Sequence, residues 1–299
     1  MQPPRPRGRV LLIANPGSRR GAPLLDSALS AFRSLGVRCD AMRTEGEGHA
    51  AALAREYASR YEVVFTLGGD GTAMEVVGAL ASTGRLIGVL PGGTGNLIAR
   101  ALAIPLDVPS AVRALLDGHE AWIDLGRLEG GRRFAFAAGV GIDSRMVERT
   151  PAVLKRRLGI VAYLLSAANA VLSGDAFQAR ITVDGVVHER VAAMVMVTNF
   201  GAIFDELITL GPGISQDDGL LDLCVFSPGS LRDAVRIAWR LFRKDFRADP
   251  CILYAPGQVF VIETSPPRRA QADGELLGMT PFRVSVEPRA ARLLVPTRD

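Results

Sequence analysis

The 299-residue sequence predicts an α/β domain built on a parallel sheet, followed by an antiparallel β-sandwich domain. Three observations point there. In the first 120 residues, short β-rich runs alternate with helical runs of roughly 10 to 15 residues, the pattern of a parallel sheet covered on both faces. From about Ala121 the helical runs give way to paired β runs around Gly-Gly and Asp-Gly turns. Glycine-rich stretches fall at the carboxyl ends of the first-half strands, where open α/β sheets bind ligands.

The first-half elements are "RVLLIAN", "PLLDSALSAFRSL", "VRCDAM", "GHAAALAREYASR", "EVVFTLG", "TAMEVVGALAS" and "RLIGVLP". "AWIDLGRLEGGRRFAFAAGVGID" then reads as two strands around a Gly-Gly turn, and "QARITVDGVVHERVAAMVMVTN" as two more around Asp184-Gly185. "GLLDLCVF", "GQVFVIET", "PFRVSVEP" and "RLLVP" add further strands, and "LRDAVRIAWRLFRKDF" is a helix. The expected domains are 8–122, completed by 289–299, and 123–288.

Hydrophobic residues make up 48% and charged residues 22%, which excludes disordered and fibrous classes. Cys39, Cys224 and Cys251 are odd in number and widely spaced, with only His49, His119 and His188 beside them, so neither a disulfide framework nor a zinc site is expected. The apolar run after the basic start is too short for a signal peptide, and "LGIVAYLLSAANAVL" is shorter than a membrane span. A soluble cytoplasmic protein is expected. Lys and Arg total 35 against 31 acids, a net charge of +4 that hints at an anionic partner.

"GGDGT" at 68–72 sets Gly68, Gly69 and Gly71 around one carboxylate. Without Cβ atoms these glycines are free to adopt positive φ and to bring backbone N–H groups against an anion, while the following helix aims its N-terminal dipole at the same point. Asp70 would then act through Mg2+, water or an acceptor hydroxyl, and Thr72 would cap the helix or donate to phosphate. The plainer alternative is a strand-to-helix turn in which both are caps. "PGGTGN" at 91–96 repeats the device one strand later, and neither loop is a dinucleotide or Walker fingerprint.

These stretches, with "NPGS" at 15–18 and Glu75, resemble the diacylglycerol kinase catalytic-domain family, which includes bacterial lipid kinases and sphingosine and ceramide kinases, with NAD kinases as distant relatives. The likeness continues through "GVGIDSRMV", "TNFG", "DDGLLDLCVF" and "ADGELLGMTP", in the family's order. The resemblance implies ATP-dependent phosphorylation of a lipid hydroxyl, most simply a diacylglycerol-like one, with ATP and Mg2+ as cofactors. It places Asn15, Thr44, Gly68, Gly69, Asp70, Gly71, Thr72, Glu75, Gly93, Thr94 and Asn96 along the ATP site. It makes Asp273 the favoured general base, with Glu275 beside it and Asp70 as the other catalytic acid. It assigns Mg2+ to Asp218, the Leu220 carbonyl and Asp222, with Asp124 as a further acid linked to the metal through water.

Three positions depart from the family pattern. Arg19 and Arg20 follow the first-loop serine where glycine is usual, Leu97 stands where many bacterial members have aspartate, and "IFDELITLGPG" replaces a glycine cluster. The acceptor therefore cannot be copied from a relative. A sphingoid, ceramide or NAD-type acceptor and a non-catalytic binding module of the same fold remain alternatives.

One reading of the segment at 231–247 is a membrane contact, with Arg232, Arg236, Arg240, Arg243 and Arg247 lying beside a stripe of Val235, Ala238, Trp239, Phe242 and Phe246. The open alternative is packing on the sandwich with the arginines in water. The run after Lys155, Arg156 and Arg157 is read as a core helix or as a wall for acyl chains. No nucleic-acid partner is expected, because stacking aromatics do not interleave with the arginines. The protein would sit at the inner face of the membrane, and its oligomeric state is open, a homodimer included.

Overall fold

In the computed structural model the described residues are 8–17, 21–141, 176–203 and 208–297. Arg19, Arg20 and the basic-apolar run from Lys155 lie outside them. The chain divides into two compact units, Met1–Asp124 with Arg289–Asp299, and Leu125–Pro288.

The first unit runs β1 (Val10–Ala14), α1 (Gly21–Ser34), β2 (Cys39–Arg43), α2 (His49–Tyr57), β3 (Val63–Gly68), α3 (Asp70–Leu80) and β4 (Leu86–Pro91). The four strands are parallel, in the order β2-β1-β3-β4. All five residues of β1 and all six of β3 are buried, as a parallel sheet covered on both faces requires. Phe65 of β3 meets Phe32 of α1 edge-on, with centroids 4.9 Å apart. Gly88 of β4 makes that possible, since a Cβ there would overlap the Phe65 ring. Two helices absent from the sequence expectation follow, α4 (Leu97–Ala101) and α5 (Val108–Leu116). Asp107 caps α5 by accepting the Ser110 N–H at 3.0 Å.

Two strands have residues in both units: β5 (His119–Leu128) and β18 (Phe282–Val295). The sequence expectation split β18 in two, but it is one 14-residue strand containing Arg289 at φ 48. Arg292 and Leu293 pair parallel with Leu86 and Ile87, so the C-terminal segment extends the first sheet. The fully buried carboxylate of Asp124 accepts the Arg289 N–H at 2.6 Å and satisfies a donor exposed by that irregularity.

The second unit contains β6 (Arg133–Phe134), β7 (Ala137–Val140), β8 (Phe177–Val183), β9 (Val186–Ala192), β10 (Met194–Thr198), β11 (Ala202–Ile203), β12 (Ile208–Thr209) and β13 (Leu221–Phe226). After α6 (Leu231–Phe242) come β14 (Ile252–Gly257), β15 (Val259–Ser265), β16 (Arg269–Ala272) and β17 (Glu275–Met279). One sheet is antiparallel in the order β14-β13-β10-β7-β16-β17. The other layer joins β9, β8 and β15 to Phe282–Ser285 of β18. Phe134, Phe177, Ile181, Val195, Leu223 and Phe260 fill the core of this sandwich. The β8–β9 hairpin turns at Asp184 and Gly185 with φ 47 and 89, the Asp-Gly turn read from the sequence.

Candidate active site

Loops leave the carboxyl ends of the adjacent strands β2, β1, β3 and β4, and the first-unit residues assigned to ATP lie on these loops, at the end of β3 (Gly68) or on α3. The Asn15 Nδ2 donates to the Thr72 hydroxyl at 3.1 Å and its Oδ1 accepts the Gly17 N–H, so one amide ties the first loop to α3. Thr44 is buried, and its N–H donates to the Ala14 carbonyl. Glu75 accepts N–H groups of Gly48, Ala50 and Ala51 at 2.9–3.3 Å. Its carboxylate is thus spent on the N-terminus of α2, where it holds the 44–48 loop.

The glycines of the two motif loops serve close packing, not the positive φ expected of them. Gly69 has φ −80, Gly71 lies inside α3, and Gly68, Gly92, Gly93 and Gly95 are absent from the positive-φ residues. A Cβ on Gly92 would sit 2.9 Å from the Gly68 nitrogen, and one on Gly93 would sit 2.6 Å from the Gly69 Cα. A Cβ on Gly68 would meet the Thr72 side chain at 2.7 Å. Backbone therefore rests on backbone where the two loops meet, a separation that no side chain permits.

Asp70 fastens the same junction. Its carboxylate accepts the Leu97 N–H at 2.5 Å, and the neighbouring N–H groups of Asn96 and Ile98 also stabilise its charge. Burial nonetheless holds its carboxyl above the usual carboxylate range. Leu97, noted above as a departure, contributes its backbone here. Asn96 adopts φ 51 and closes the 93–96 turn, exchanging side-chain hydrogen bonds with the Gly93 N–H and carbonyl. Thr94 stands exposed at the tip. The first turn of α3 leaves the Gly71 and Thr72 N–H groups without an intrahelical acceptor, at the positive end of the helix dipole. An anion has donors to meet there.

In the second unit, Asp273 and Gly274 form the β16–β17 turn with φ 47 and 85. The Asp273 carboxylate accepts N–H groups of Ala135, Phe136 and Ala137 at 2.8–3.0 Å. The carbonyls of the same three residues are also held. Asn199 Nδ2 donates to Ala135, Asn199 N–H and the Thr198 hydroxyl to Phe136, and Asp273 N–H to Ala137. The "TNFG" and "ADGE" stretches thus grip one tripeptide from both sides, and stacked Phe136 and Phe200 rings, 6.0 Å apart, close it over. Glu275 is exposed and paired with Arg132.

Asp218 accepts the Leu220 N–H at 3.0 Å. Asp222, on β13, has its carboxyl pushed up to about 6, first by burial and then by the charge of Asp218. Asp124 belongs to the other unit and is engaged with Arg289. Among the described residues no cluster of three or more His, Cys, Asp or Glu side chains forms a metal cage.

The arginines of α6 are not equivalent. Arg236 and Arg240 both bridge to Asp249, and the Arg240 side chain is only 12% exposed, so these two stabilise their own fold. Ala234, Ile237, Ala238 and Leu241 form the buried face, while Trp239 points outward.

Residues 9–128 match the diacylglycerol kinase catalytic domain, and residues 137–295 match the YegS C-terminal NAD kinase β-sandwich-like domain. A diacylglycerol kinase of Bacillus subtilis (strain 168) is 31% identical over 281 residues, covering 91% of each chain. The chain belongs to the diacylglycerol kinase catalytic-domain family. A diacylglycerol kinase of Staphylococcus epidermidis is 29% identical, covering 93% of this chain and 88% of the relative. An uncharacterised Synechocystis protein is 30% identical over 79% of this chain, and the match spans 55% of that relative. A solved diacylglycerol kinase structure from Bacillus anthracis superposes with a TM-score of 0.74 at 22% identity and covers 97% of both chains. A second structure from that organism gives 0.78 at 24% identity, covering 96% of this chain and 95% of the other.

As a member of a kinase family, the protein is a phosphotransferase that uses ATP. Among the described residues no helix is long and apolar enough to cross a membrane. Sequence reasoning identified the family motifs but missed the grip on residues 135–137 and the capping by Glu75. Each depends on partners 24 to 138 residues apart. A motif acid beside glycine signals a turn; nothing local signals which distant amides its carboxylate meets.

Proposed function

We propose that the protein transfers the γ-phosphoryl group of ATP to the hydroxyl of a diacylglycerol-like lipid. The observation that carries this reading is the fused pair of glycine loops, where Asp70 spans from the start of α3 to the start of α4 and leaves the α3 amides open to an anion. The 31% identity to a diacylglycerol kinase along nearly the whole chain supports the lipid acceptor.

In phosphoryl transfer the transition state is loose, so orientation and charge neutralisation contribute more than early deprotonation of the nucleophile. The amides of Gly71 and Thr72 and the Thr94 hydroxyl bind phosphate oxygens. Asp70 and Asn15 keep the loops in register, and Glu75 keeps the 44–48 loop against α3. Asp273, oriented by three N–H donors, accepts the lipid hydroxyl proton late in transfer. Glu275 stands at the exposed end of the same turn.

Asp218, the Leu220 carbonyl and Asp222 offer only hard oxygen donors, and burial together with the charge of Asp218 raises the cost of ionising Asp222, which suits a divalent cation. When bound, Mg2+ would neutralise those carboxylates.

Incubation with labelled ATP and either a total lipid extract or NAD tests the reading. Label in a chloroform-soluble product is expected; label in NAD alone, or in neither, overturns it.

A further inference from the structure

α6 opens with a reciprocal cap: the Ser230 hydroxyl donates to the Asp233 carboxylate at 2.7 Å and accepts the Asp233 N–H at 3.2 Å. With its start fixed, the helix has a fixed outward face. Leu231, Val235 and Trp239 recur every four residues on that face and are 46%, 51% and 59% exposed. Phe242 extends the row, its ring 5.7 Å from that of Trp239. An apolar row directed away from the core does not serve the fold.

The charges beside the row are unbalanced. Between Leu231 and Cys251 there are six cations, Arg232, Arg236, Arg240, Arg243, Lys244 and Arg247, against three acids, Asp233, Asp245 and Asp249. All three acids are neutralised locally: Arg236 bridges Asp233 and Asp249, Arg240 bridges Asp249 and Asp245, and Arg247 bridges Asp245. Arg232, Arg243 and Lys244 are exposed and have no acid partner among the described residues. The Arg243 guanidinium lies 5.9 Å from the centroid of the Trp239 ring, which brings positive charge and the largest apolar side chain to one place.

We propose that this outer face of α6 docks on an anionic phospholipid surface, with Leu231, Val235 and Trp239 entering the headgroup layer and Arg232, Arg243 and Lys244 meeting lipid phosphates. The proposal deepens the lipid-kinase reading and rests on it for the presence of a membrane substrate. Tryptophan beside a basic flank is the composition of an interfacial helix. The row extends only about 12 Å along the helix axis from Leu231 to Trp239. Three half-exposed side chains offer on the order of 300 Å², well short of the roughly 800 Å² per partner of a stable protein interface. A bilayer sets no such minimum.

The test is cosedimentation with vesicles of equal parts phosphatidylglycerol and phosphatidylcholine, with phosphatidylcholine vesicles as control. Wild-type protein is expected to sediment with the anionic vesicles only, with a blue shift of tryptophan emission that Trp239→Ala abolishes, since Trp122 remains as an internal control. Val235→Ser/Trp239→Ala and Arg232→Glu/Arg243→Glu/Lys244→Glu should each lower apparent affinity about tenfold or more. Every changed position is at the surface, so circular dichroism should show an unaltered fold. Unchanged sedimentation of both variants overturns the proposal, as does absence of wild-type binding. Conversion of a wild-type dimer to monomer by these changes, without loss of vesicle binding, assigns the face to a second copy and also overturns it. Phosphoryl transfer to lipid dispersed in detergent micelles should be unchanged in the variants. If micellar transfer is absent from the wild type while vesicle binding persists, docking stands and the kinase reading falls.

Discussion

Asp70 and Asp273 occupy matching positions in the two units. Each lies in an Asp-Gly pair and uses its carboxylate to collect backbone N–H groups from a distant segment, Leu97 and its neighbours for Asp70 and Ala135 to Ala137 for Asp273. Their energetic positions differ. The Asp70 carboxyl is held above its ordinary range because burial outweighs its hydrogen bonds. Asp273 faces three donors at 2.8–3.0 Å across a hairpin turn. The lesson is that a carboxylate in a family motif can be structural and chemical at once, with the balance set by surrounding amides and water.

The largest expected effect is at the loop junction. Gly93→Ala places a Cβ 2.6 Å from the Gly69 Cα, a backbone overlap that no rotamer relieves. Titration calorimetry should show ATP binding lost, while circular dichroism reports a folded protein. Next comes Asp273→Ala, which leaves three amides without their acceptor and should cost about 3 kcal/mol in urea unfolding. Asp273→Asn should also destabilise, because an amide presents only one oxygen to three donors and sets its own N–H against them.

Asp70→Asn is expected to behave in the opposite way. A carboxyl with a folded pKa above its unfolded value gives its full stabilisation below the unfolded value and loses it as pH rises through the folded one. At pH 7 the ionised Asp70 is therefore a burden on folding. Asparagine keeps one acceptor for Leu97 and sheds the charge, so unfolding at pH 7 should show equal or greater stability while phosphoryl transfer falls. If Asp70→Asn and Asp273→Asn lose stability equally, the contrast between the two units fails.

Much of this was legible in the sequence. Alternating runs and the Asp-Gly turn at 184 gave most strands and the β8–β9 hairpin, because these signals are local. The glycine loops were legible as a site but not in their reason, since close backbone packing between positions 24 residues apart looks identical in sequence to a demand for positive φ. α4 and α5 were overlooked, α4 because it has only five residues. The arginine face on α6 was read from periodicity alone, which cannot show that Asp249 claims Arg236 and Arg240.

Smaller effects sharpen the second unit. Millimolar Mg2+ should raise the thermal midpoint at pH 7 by neutralising Asp218 and Asp222, and Asp218→Asn should remove most of that gain in a melting experiment. Least of all, Glu275→Gln breaks an exposed pair with Arg132 and should change stability by under about 1 kcal/mol in urea.

The central claim is that the two glycine loops, locked by Asp70, form the nucleotide site. Titration calorimetry with ATP and millimolar Mg2+, run on wild type and Gly93→Ala in parallel, tests it most directly. One saturable site in the wild type and none in the folded variant is the predicted result; a wild type that takes up no purine triphosphate, or a variant that binds equally well, would contradict it.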